Sequence, residues 1–226
     1  MKKLYVLISV LSVMCICCTA VFLIVAPDTV PVHWNFAGEV DRMGSKYENL
    51  IFPALALLLG VFFAFMAKKE SKKSEKSNEK PVLITGVCSI ALFTVISFYF
   101  MIKSAKYEPG TPSGASAGDI NRFVNIAIGA LLAVLGNIMP KVRRNSFVGI
   151  RTKWSLANDT VWQKSQRFGG IVSVITGLLL IVLSLFVPGM WNILLSGAAI
   201  TAVVILCTAA SYRYYKEYKG EENTNE

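Results

Sequence analysis

The sequence predicts an all-α polytopic transmembrane helix bundle, with six spans and both termini cytoplasmic. Three observations predict it. First, the 226 residues are 54% hydrophobic and only 16% charged, against ~25% charged in soluble domains. Second, six apolar segments (4–26, 50–67, 82–102, 123–139, 168–187 and 191–210) contain no Asp, Glu, Lys, Arg or His. Each is near the ~20 residues that carry a helix across ~30 Å of hydrocarbon. Third, the cations favour alternate connections. Of 23 Lys and Arg, only Arg42, Lys46, Lys103, Lys106 and Arg122 lie in the connections on one side. The positive-inside rule therefore places the richer connections and both termini in the cytoplasm. The net charge of +9 is then a topology signal plus attraction to anionic membrane lipid. No direct contact with nucleic acid is expected.

The elements follow in order. Lys2 and Lys3 precede the first segment, but its apolar run exceeds the 7–15 residues of a signal-peptide core. It reads as an uncleaved span. Residues 27–49 form the first outward loop. Pro27 and Pro31 stop the helix and favour extended backbone, while Gly38 and Gly44 punctuate turns. A small folded cap over the outer helix ends is expected there. Residues 68–80, KKESKKSEKSNEK, read as a solvated, flexible cytoplasmic linker without chemistry. Residues 104–118, rich in Gly, Ser, Pro and Ala, read as a mobile outward loop. Residues 187–190, VPGM, read as a tight outward turn joining the last two spans. The domain organisation expected is an amino-terminal two-span unit over 1–67, a linker over 68–81, a four-span unit over 82–210 and a cytoplasmic tail over 211–226.

Residues 137–170 organise the rest. This polar interval holds Lys141, Arg143, Arg144, Arg151, Lys153, Lys164 and Arg167 against one acid, Asp159. Pro140 ends the fourth span and Gly149 permits a turn. Ser155, Asn158 and Asp159 are helix N-cap types, so a helix starting at Asn158 or Asp159 runs into the fifth span. Arg151 and Arg167 are expected to hold Asp159 or a backbone carbonyl. All four tryptophans, Trp34, Trp154, Trp162 and Trp191, lie beside span ends or in loops, where membrane-interface anchoring is expected. The five cysteines all fall in apolar runs. They read as packing residues rather than a disulfide framework.

Two motifs carry a resemblance. Asn145-x3-Gly149-Ile150-Arg151-Thr152-x-Trp154-Ser155-Leu156-x2-Asp159-x-Val161-Trp162, followed by Arg167-Phe168, resembles the signature of the SdpI-type immunity proteins. Pro31-x-His33-Trp34-Asn35-x2-Gly38-x2-Asp41 with Ser45-Lys46 is similar to an uncharacterised amino-terminal domain that often precedes that signature. The resemblance implies a bacterial multi-pass protein of the cell membrane that protects against a secreted, membrane-active peptide toxin. It also implies tethering of a cytoplasmic transcriptional repressor once toxin is sensed. On that reading the inner loop (Arg144, Asn145, Gly149, Arg151, Thr152, Trp154, Asp159, Trp162, Arg167) binds a partner or locks the bundle. The outer loop (Pro31, His33, Trp34, Asn35, Gly38, Asp41, Lys46) meets the extracellular peptide or the envelope.

No enzymatic role, metal or cofactor is expected. His33 with Glu39 and Asp41 is short of the usual zinc set. A hydrogen bond inside a folded cap is the expected role for His33. A transporter or permease component exporting an apolar peptide or small molecule is the alternative function. Ion coupling generally needs ionisable groups at bilayer depth, and the six segments have none. Asn125 and Asn137 are among their most polar side chains, expected to form interhelical hydrogen bonds.

Overall fold

The fold is taken from a computed structural model. It describes the chain apart from residues 36, 73–76, 109–113, 146, 188, 190 and 225–226. The helices are α1 (Lys2–Val25), α2 (Ile51–Ser71), α3 (Glu79–Ala105), α4 (Gly114–Ile138), α5 (Asp159–Phe186) and α6 (Trp191–Thr224). Six helices are long and apolar enough to cross a membrane. Leu58, Val61, Phe65, Ile175, Leu178 and Val204 are among the large apolar side chains left more than half exposed. Water would not tolerate such a continuous apolar exterior; lipid does.

Two connections are shorter than their composition suggested. Helix α2 continues through Lys68 and Lys69, and α3 already begins at Glu79. The charged run thus supplies helix ends, and its residues 73–76 lie outside the described residues. Likewise α3 continues to Ala105 and α4 starts at Gly114. Residues 109–113, at the heart of the expected mobile loop, lie outside the described residues, as do Pro188 and Met190 of the expected 187–190 turn.

The helices group three and three. Helices α1, α2 and α3 pack on one another, as do α4, α5 and α6, and α3 meets α4. Ile8, Ala67, Val82, Leu83 and Ile90 form the core of the first group. The tightest pair is α4 with α5. A Cβ on Gly129 would stand 2.6 Å from the Gly177 carbonyl, and one on Gly136 2.7 Å from that of Gly170. Backbone meets backbone at both levels, the close approach that small residues permit between membrane helices. Helix α6 is peripheral, with only 6% of its apolar window buried. It is tied in by Asn125, which donates from Nδ2 to the Asn192 carbonyl at 2.7 Å and lies 3.0 Å from Asn192 Oδ1. Asn137, expected to make a similar bond, is exposed instead.

Between α1 and α2 the outward loop folds as a hairpin of β1 (Thr29–Trp34) and β2 (Val40–Ser45), antiparallel and bulged near His33. Its buried Val30 packs with Phe22, Ala26 and Met101. Ser104, near the end of α3, donates to the Pro31 carbonyl at 2.8 Å. At the start of α3, Asn78 bonds reciprocally with the backbone of Arg143, at 2.9 and 3.1 Å. Twenty-seven helical residues, about 40 Å, separate these two ties. The hairpin and the 142–158 loop therefore sit at opposite ends of the bundle.

Candidate functional site

The 142–158 loop, residues 142 to 158, has no regular secondary structure over its described part, so side chains must satisfy its backbone. Asn145 organises the first bend. Its Oδ1 accepts the amides of Phe147 and Val148 at 2.7 and 2.8 Å. Its Nδ2 donates to the carbonyls of Arg143 and Val148. Gly149 follows with φ +108, a conformation L side chains avoid. A Cβ there would also overlap the Gln166 amide.

Gln166, fully buried on α5, grips the next residue. It accepts the Ile150 amide at 3.0 Å and donates to the Ile150 carbonyl at 2.9 Å. Thr152 and Ser155 close a second bend: each hydroxyl accepts the other's amide at 3.0 Å. Thr152 Oγ1 also lies 2.6 Å from Ser211 Oγ on α6. Beside it, the Trp154 and Tyr212 rings sit 4.9 Å apart. Asn158 caps α5 by accepting the Val161 amide at 2.9 Å.

Trp162 departs from the expected interface anchor. It is 1% exposed, and its Nε1–H donates to the Val142 carbonyl at 2.7 Å. Its ring packs with Ile138 and Val142. The indole is thus a plug that joins the start of the loop to α5. The arginines are also reassigned. Arg144, rather than Arg151 or Arg167, holds Asp159, with Nε 2.8 Å from Oδ1. It also donates to the Leu156 and Ala157 carbonyls. Arg144 precedes the loop's return and can reach across it. Arg151 and Arg167 are both exposed, and Arg151 borders a cleft of about 570 Å³ walled by α2, α3, α4 and α6.

The hairpin at the other end is built differently. His33 Nδ1 lies 2.6 Å from Asp41 Oδ1, with side chains 61% and 42% exposed. Asn35 shapes the turn: its Oδ1 accepts the Glu39 amide at 2.9 Å, and its own amide donates to the Glu39 carbonyl. Gly38 adopts φ +79. Lys46 pins the hairpin base to α1 through the Ala26 carbonyl at 3.3 Å and Asp28 at 3.1 Å. Trp34 reaches inward to Phe100, ring centroids 5.2 Å apart. Pro31, His33, Trp34 and Asn35 line a cavity of about 550 Å³ beneath the hairpin, with Phe52 and Asn121 opposite. Among the described residues, no group of three His, Cys, Asp or Glu could hold a metal ion.

Three positions that matter carried no sequence signal. Gln166 resembles any polar residue on a helix, Asn78 lies in the charged run, and Ser211 opens the tail. Their partners are 16, 65 and 59 residues away.

Comparison with known proteins agrees with both motifs. The domain of unknown function DUF1648 matches residues 10–57, which include the hairpin. A curated protein named Immunity protein SdpI, from Bacillus subtilis (strain 168), is 25% identical over 194 residues. That alignment covers 86% of this chain and 87% of the relative. No solved structure matches. Residues 141–212, from the start of the side-chain-bonded loop to the α6 residues that brace it, match the SdpI/YfhL protein family, and with six helices able to span a membrane the chain is a multi-pass bacterial membrane protein similar to that family over this region.

Proposed function

We propose that this chain is a membrane immunity protein, protecting the cell against a secreted, membrane-active peptide toxin. The match along most of both chains with a protein named for immunity carries this reading. In it, the hairpin faces outward and both termini face the cytoplasm. The cavity beneath the hairpin offers Trp34 and Phe52 to an apolar peptide side chain. The opposite loop is rigid and basic, suited to a cytoplasmic repressor with an acidic face. No catalytic step is proposed.

A toxin-sensitive strain expressing the chain should survive challenge with the sporulation-delaying toxin or with a secreted peptide encoded beside this gene. A Trp34→Ala variant that still reaches the membrane should lose most of that protection. No survival advantage against any of these peptides would remove the immunity reading. Orientation has its own test. A cysteine engineered at Lys153, in a chain lacking its native cysteines, should resist a membrane-impermeant thiol reagent in intact cells. Labelling there would reverse the assignment of the two faces.

A further inference from the structure

The cleft beside Arg151 is not used by the immunity reading. It lies at the end of the bundle opposite the hairpin, and its walls are apolar: Phe62, Val82, Leu135, Val148 and Val204. Two of these, Phe62 and Val204, are also exposed on the outer face of the bundle, at 48% and 59%. The cleft is therefore continuous with the surface that meets hydrocarbon. Its volume of about 570 Å³ falls within the ~300–1,000 Å³ of ligand pockets.

Its rim is cationic. Arg151 borders the cleft and is exposed, with no ion pair or hydrogen bond among the described residues. Phe147 also lines it, and Lys69 Nζ stands 5.5 Å from that ring's centroid. Glu70, the nearest acid in sequence to Lys69, is 2% exposed and presents no open carboxylate to the rim. The loop is held by Asn145, Gln166 and Thr152, so Arg151 is carried on a fixed backbone.

From an apolar slot open to hydrocarbon and a guanidinium at the membrane boundary, we infer that the cleft seats an anionic phospholipid. One acyl chain lies along Phe62 and Val204, and the phosphate is held by the planar fork of Arg151. Guanidinium matches phosphate in geometry as well as charge. A zwitterionic lipid would bring the same chain, but its own cation would compete with Arg151 for the phosphate. The inference is independent of which face is cytoplasmic.

Native mass spectrometry of the full chain tests it, with dioleoylphosphatidylglycerol and dioleoylphosphatidylcholine offered at equal concentration. The wild-type chain should retain the anionic lipid roughly tenfold over the zwitterionic one, as one charge-assisted bond implies. Arg151→Gln should bring the two together. Val204→Trp, which fills the slot from the lipid-facing helix, should lose both. Lys153→Gln, a loop cation outside the cleft, should behave as wild type. If Arg151→Gln does not yield monodisperse protein, Arg151→Lys should keep a smaller preference. Equal retention of both lipids by the wild-type chain would overturn the inference. So would anionic-lipid retention unchanged in both cleft variants, displacement of the lipid by inorganic phosphate alone, or preferential filling of the cleft by an apolar peptide.

Discussion

The two ends of the bundle are ordered by different means. At one end, a hairpin satisfies its backbone through a β ladder, and its side-chain ion pairs stand in the open. At the other, the 142–158 loop has no ladder and relies on Asn145, Thr152, Ser155, Trp162 and Gln166. A ladder tolerates many side chains because the bonding groups belong to every residue. A loop bonded by side chains does not, because each bend requires one group at one place. The comparison implies that substitutions should be costly in the loop and cheap on the hairpin's exposed edge.

Trp162→Ala should show the largest effect. It removes a fully buried ring and orphans the Val142 carbonyl. Large aromatic-to-alanine changes in cores cost about 3–5 kcal/mol, read as a fall in thermal stability in detergent. Trp162→Phe separates the two contributions: it keeps most of the packing and loses only the indole bond, about 1 kcal/mol or somewhat more. If Trp162→Ala were nearly neutral, the indole would not be the plug that closes the loop.

Gln166→Leu comes next. The substitute fills similar space but leaves the Ile150 amide without its partner, while the Ile150 carbonyl keeps Ser155. A buried unpaired donor costs about 1–3 kcal/mol. Gly149→Ala should fall in the same range, since φ of +108 is strained for alanine and its methyl would meet Gln166. Hydrogen exchange sharpens this. The Ile150 amide should exchange slowly in the wild-type chain despite lying in a loop, and quickly in Gln166→Leu. Fast exchange in both would mean the loop opens without disturbing the helices.

These positions also show what a single sequence can and cannot convey. The spans were legible because hydrocarbon demands an unbroken apolar stretch. The N-cap at Asn158 and the turn at Gly149 were legible because each is a local requirement, met within a few residues. Gln166 and Asn78 were not, because their roles are defined by partners distant in the chain. Trp162 was misplaced for a related reason. An indole beside a span end suits the interface and a buried slot equally, and only the Val142 carbonyl distinguishes them. The arginines are alike in type, so which one holds Asp159 depended on the path of the backbone between them.

Arg144→Ala should be milder than the core changes. Its pair with Asp159 has side chains 42% and 73% exposed, and such pairs contribute about 0.2–1 kcal/mol. The carbonyls of Leu156 and Ala157, both on exposed residues, can turn to water instead. The loss should shrink as salt is added, since exposed charges are screened.

His33→Ala should have the smallest effect on stability, within about 0.5 kcal/mol. The short contact with Asp41 invites the opposite expectation, but both side chains are open to solvent. Water can replace each partner, and the ladder beneath does not involve either side chain. The hairpin's anchorage lies instead in Val30, in Lys46 bound to the Ala26 carbonyl at the end of α1, and in Ser104 bound to Pro31. A neutral His33→Ala that nonetheless abolished toxin protection would assign the residue to recognition rather than folding. A loss of roughly 2 kcal/mol or more, beyond what an exposed pair contributes, would mean that a second molecule covers the hairpin and removes water from the pair.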